Sequence, residues 1–183
     1  MTFDEMIHRA QAFEDARQDN EEIDDEEVTA LCDAIRSFDV QTVEHIHGLI
    51  LLTGLSASPD LRRRGAYALR GMNPALVAGE FNTMVRGNEE QRELALGALG
   101  KMRLKVTSSV GVAMNEAGGV VDFLLDFLAS DAPGLNRSSA ASLLGSIGAD
   151  LERVVPVLKA AAASDDDWVT QDAEWALEKI ADR

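Results

Sequence analysis

Apolar residues recur along this chain at intervals of three and four, the spacing that lines one face of an α-helix. Four stretches share one version of the pattern: PDLRRRGAYALRGM (59–72), EEQRELALGALGKM (89–102), GLNRSSAASLLGSI (134–147) and WVTQDAEWALEKI (168–180). Aligned on Leu69, Leu99, Leu144 and Leu177, each has a small residue four positions earlier: Gly65, Ala95, Ala140 or Ala173. Three positions later stands Met72, Met102, Ile147 or Ile180. These positions share a helical face, so the larger side chains fill a seam while the small one admits a neighbouring helix. Seven before the anchor stand Arg62, Arg92 and Arg137, with Thr170 departing from the series.

Between the copies lie second amphipathic segments at 74–86, 120–129 and 150–163, each beside a helix-start or turn signal: Asn73-Pro74, Gly118-Gly119 and Gly148-Ala149-Asp150. Helical hairpins follow. The anchors are 30, 45 and 33 residues apart, so the long middle interval predicts an insertion over 104–119, an irregular loop with a short helix. Further upstream, 3–19 reads as a helix, 20–24 as a charged link, and 25–38 with 40–55 as a degenerate hairpin. Val28, Leu31, Cys32 and Ile35 form one apolar stripe there; Val43, Ile46, Ile50 and Leu51 form the next. The fold expected is all-α, an α-solenoid of about four to five antiparallel helical hairpins. Residues 1–57 are its acidic capping helix and degenerate hairpin and 58–183 its repeat array, one continuous domain.

The stretch from Asp131 to Arg183, and less closely 58–102, resembles the short HEAT-like repeats first associated with phycobilin lyases, whose first helix reads D-x-x-V-R-x-x-A-x-x-A-L-G-x-I-G. Arg70 stands where that pattern has Gly, and Thr170 where it has Arg. The resemblance implies that the first helix of each hairpin lies on the convex side of a curved array and the second lines the concave side. It also implies that the Arg series pairs with acids of adjacent repeats.

Composition narrows the functional classes. The chain has 183 residues, few aromatics and a net charge of −15. Binding nucleic acid through phosphates needs a Lys/Arg surface, so nucleic acid is not the expected partner. The acidity is uneven, with 14 acids against 3 bases in residues 1–57 and 18 against 14 thereafter. Nine acids fall within 14–27, a solvated junction or a docking feature. No secretory signal and no membrane-spanning stretch is visible, so a cytoplasmic location is expected.

Motifs for catalysis are missing. There is no H-E-x-x-H, G-x-S-x-G, Walker loop or G-x-G-x-x-G, and the lone Cys32 forms neither an internal disulfide nor a thiolate metal site. His45 and His47, two apart on a helix, do not form a metal pair. Asp165, Asp166 and Asp167 precede a helix, where carboxylates cap backbone N–H groups. No catalytic residue, no metal and no cofactor is therefore expected.

What remains is recognition. Within 120–129, Val121, Leu124, Leu125 and Leu128 suit the core, which leaves Asp122 and Asp126 outside and Phe123 at the border. Glu44, His45 and Glu80 extend this acidic groove, and Arg153 with Lys159 give one end the opposite sign. The expected function is a non-catalytic adaptor or scaffold holding a protein partner, a basic or amphipathic segment, in the concave groove. The resemblance leaves open a bilin-lyase-like, cofactor-binding subunit as the alternative, and a nucleic-acid-binding HEAT-like array as a third reading. Oligomeric state is left open.

Overall fold

The structure, a computed structural model, describes residues 42–55 and 59–183 together with 2, 5–9, 12, 26, 30, 31 and 34. Most of the elements expected over 10–41, with Cys32 and most of the 14–27 acid run, lie outside the described residues. Among the described residues there is no strand, and nine α-helices are delimited. They are α1 (Val43–Leu55), α2 (Pro59–Gly71), α3 (Pro74–Val85), α4 (Glu89–Met102), α5 (Ser109–Ala117), α6 (Gly119–Leu128), α7 (Gly134–Ile147), α8 (Leu151–Ala161) and α9 (Asp167–Ala181). The protein is an α-solenoid.

The four aligned segments are α2, α4, α7 and α9, and each packs on the next. The second segments, α3, α6 and α8, form a parallel run in which neighbours also touch. Helix starts are set by local chemistry. Asn73 accepts from the N–H groups of Ala75 and Leu76 ahead of Pro74, Asn88 and Gln91 form a reciprocal capping box, and Asp150 and Asp166 cap α8 and α9. The capping role expected before the last repeat thus falls to Asp166. The insertion resolves into a turn over 103–108 and then α5, which packs against α3, α6 and α7. Asn115 of α5 donates to Ile147 O and accepts from Ala149 N–H at 2.8 Å, tying the inserted helix to the α7–α8 turn.

Anchors Leu69, Leu99 and Leu144 are fully buried, as are Ala95, Ala140 and Ala173 four positions before their anchors. Leu177 and Ile180 of α9 are only partly buried against the core. The tightest seam is between α7 and α9. Gly145 lies so close to α9 that a Cβ there would sit 2.5 Å from the Ala176 methyl carbon, and Ser138 donates to Asp172 across the same seam. The α7 residues on this side, Gly134, Ser138, Ala141 and Gly145, are all small. Their counterparts on α9, one repeat later, are Asp167, Gln171, Glu174 and Glu178, all exposed. A second small-residue crossing joins α1 to α4 at Gly54 and Gly97, while Gly65 of α2 packs on Thr53 of α1.

Two members of the arginine series, Arg92 and Arg137, correct the expectation from the resemblance. Arg92 donates to Gly87 O at 2.9 Å and Arg137 to Leu128 O at 3.1 Å, so both bond carbonyls of the preceding turn or helix end instead of a neighbouring acid. Thr170, which departs from the series in residue type, plays the same part, its hydroxyl donating to Ser164 O at 2.9 Å. The shared requirement is a donor for carbonyls that a helix end leaves without an intrahelical partner. At the other end of α7, Arg183 donates to Gly145 O and Gly148 O at 2.7 and 2.6 Å, and burial pushes its guanidinium below the ordinary arginine value.

Gly79 on α3 has nothing within 4 Å of where a Cβ would stand, whereas Gly145 has α9 against it. Gly79→Ala is expected to raise stability by about 0.5–1 kcal/mol through helix propensity. Gly145→Ala is expected to lower it by about 1–3 kcal/mol through overpacking. Urea unfolding followed by circular dichroism measures both signs.

Candidate partner-binding surface

Helix α6 shows the clearest division between core and surface. Val121, Leu124, Leu125 and Leu128 are buried, as the sequence pattern required, so Asp122 and Asp126 emerge exposed one turn apart. Phe123 borders them on one side, half-buried, stacked on Phe127 with ring centroids 5.2 Å apart and planes at 19°. Phe127 belongs to the same surface and did not stand out in the sequence. Its signal was the i, i+4 spacing from Phe123, which puts both rings on one side of α6.

The acidic strip is bridged. Arg153 of α8 reaches across to Asp122 with Nη2 at 2.7 Å from Oδ1, and its Nη1 lies 3.8 Å from Asp150, the cap of its own helix. Its guanidinium is held above the ordinary arginine value by the hydrogen bond to Asp122 first, then by the charges of Asp122, Asp150 and Asp126. Both partners are about half exposed, so solvent screens the bridge and it adds little to stability. Its effect is on the field of the surface: one of the two α6 carboxylates is neutralised in place, while Asp126 faces solvent.

The remaining candidates lie on α1 and α3. Glu80 is 9% exposed, and its Oε1 is 2.6 Å from Nδ1 of His47, so its carboxylate is directed to α1. Glu44 and His45 occupy the first turn of α1 beside Thr42, whose hydroxyl is 2.8 Å from His45 Nδ1. Hydrogen bonds from its own backbone N–H and from Thr42 hold the Glu44 carboxyl below its ordinary value. The order of contact is α1 on α3, α3 on α6, α6 on α8, so the candidate residues follow one another along successive helices. His47, passed over as half of a non-pair with His45, is the residue that partners Glu80.

Comparison with known proteins fits this architecture. A family model for HEAT repeats matches residues 85–178, just over half of the chain. The chain belongs to the HEAT-repeat family. The match takes in α4 to α8 and most of α9, including the inserted α5. No curated protein matches the sequence. Among solved structures, this HEAT-repeat protein is similar to a designed armadillo repeat protein in complex with the peptide (KR)4, at 14% identity and a TM-score of 0.47 over 95% of this chain and 80% of the other. None of the described helices is long and apolar enough to cross a membrane.

Because Glu80 is nearly enclosed, its carboxylate depends on His47. His47→Ala is expected to cost about 1–3 kcal/mol by leaving a buried acceptor short of its donor, and the double change His47→Ala with Glu80→Leu to recover most of that loss. Chemical denaturation of the two variants measures the difference.

Proposed function

We propose that this HEAT-repeat protein is a non-catalytic adaptor that holds a basic or amphipathic segment of a protein partner along the face formed by α1, α3, α6 and α8, which we take as the concave side of the array. The observation that carries this reading is the exposed turn of α6. There a row of two carboxylates runs beside a stacked, half-buried Phe123–Phe127 pair, an arrangement that offers apolar contact and a negative field together. Glu44 and His45 on α1 extend the surface at one end, and Glu80 lies beneath it, bonded to His47. Arg153 sets how negative the centre is, because it competes with any incoming cation for Asp122.

That competition makes the reading testable with a basic amphipathic peptide titrated calorimetrically. Asp126→Lys should weaken binding by at least about fivefold, since a like charge placed at the contact repels. Arg153→Ala should strengthen binding by about two- to fivefold and move the melting temperature by no more than about 2 °C, because the exposed bridge it removes adds little to stability. If Asp126→Lys and Arg153→Ala both bind as the unaltered chain does, this face is not the partner site.

A further inference from the structure

Both tryptophans of the chain lie on α9 and both are exposed, Trp168 by 66% and Trp175 by 39%. They stand seven residues apart, so the two side chains share one helical face about 10 Å apart along the axis. The side of α9 that meets the array is carried by Val169, Ala173 and Ala176. Bordering the tryptophans on the flank turned away from α7 are Asp167, Glu174, Glu178 and Asp182, all exposed. The stripe of Asp167, Gln171, Glu174 and Glu178 makes the outer side of α9 polar. The two exposed indoles are the apolar exception beside it.

We propose that the Trp168–Trp175 face of α9 is a second docking surface, for a partner segment in which Lys or Arg side chains alternate with apolar ones. Indole faces attract cations more strongly than other aromatic rings do. The chain itself provides an instance: Lys179 places its ammonium 5.7 Å from the centre of the Trp175 ring. The Trp168 ring, the more exposed of the two, presents the same kind of face beside carboxylates that would bind a cation's remaining donors. Charge decides against a second copy as the occupant. On α9 the acids Asp167, Asp172, Glu174 and Glu178 stand against one base, Lys179, so two copies of this face repel where a basic segment is drawn in. This surface belongs to the first-helix layer, whereas Asp122, Phe123 and Asp126 lie on the second, so the two sites can be altered separately.

Since Trp168 and Trp175 are the only tryptophans, intrinsic fluorescence of the full chain reads this face directly. The probe is a synthetic peptide of alternating Lys and Leu, with a Gln-Leu peptide as the neutral control. The expected result is a saturable emission shift to shorter wavelength with the Lys-Leu peptide alone, weakening as salt rises from about 50 to about 300 mM. Trp168→Ala should weaken binding, followed by the remaining Trp175 signal, by about tenfold. The pair Glu174→Lys with Glu178→Lys should weaken it by at least about threefold. Both exposed-site variants are expected to melt as the unaltered chain does. Asp126→Lys should leave this signal unchanged, which separates the α9 surface from the α6 surface. The proposal is overturned by no shift at about millimolar peptide, by equal response to the Gln-Leu peptide, or by unchanged binding in Trp168→Ala. A shift that follows protein concentration without peptide would identify a second copy as the occupant and overturn it equally.

Discussion

The distance at which α7 and α9 pack is the constraint on which the described part of the array depends. A seam of Gly134, Ser138, Ala141 and Gly145 lets two helix backbones approach more closely than larger side chains would permit. That approach aligns the Leu144 and Ile147 positions with the core and brings the Ser138 hydroxyl to Asp172. It also places the end of α7 where Arg183 bonds the carbonyls of Gly145 and Gly148, with Asn115 bonding Ile147 O from the other side. A helix end that would otherwise leave carbonyls unsatisfied becomes the junction of α5, α7 and α9. The α1–α4 crossing at Gly54 and Gly97 repeats the device at the other end of the described array.

Much of this was legible in the sequence, for a physical reason. Buried positions of repeated helices must keep size and spacing, so the small residue, the anchor leucine and the Met or Ile recur and can be aligned. The interior and exterior of α6 followed from the same periodicity. Hydrogen-bond acceptors leave no such trace. Thr170 differs in identity from Arg92 and Arg137 yet likewise bonds a carbonyl at or just past the preceding helix end, and a reading by residue type made it an exception where the geometry makes it an equivalent. Pairings between helices distant in sequence were equally hidden. His47 with Glu80, 33 residues apart, and Arg153 with Asp122, 31 apart, depend on the register in which one repeat lies against another.

Function follows from where the array leaves its chemistry exposed. Membership of the HEAT-repeat family accounts for the architecture, and the surfaces differentiate this chain from a bare stack. The α6 turn combines carboxylates with a stacked phenylalanine pair and a counter-charge in Arg153. The α9 face combines carboxylates with indoles and the chain's own Lys179. Each pairs apolar area with negative charge, the combination on which the proposed basic, amphipathic partners rest.

The seam itself is tested most directly by exchanging its two closest residues. Ala176→Gly in the Gly145→Ala background moves the methyl group from one helix to the other while keeping the seam's volume. This double variant is expected to unfold within about 1 kcal/mol of the unaltered chain, with a coupling energy of at least about 1 kcal/mol in the double-mutant cycle. Additive losses, with no coupling between positions 145 and 176, would contradict the claim that backbone approach between α7 and α9 holds the array together.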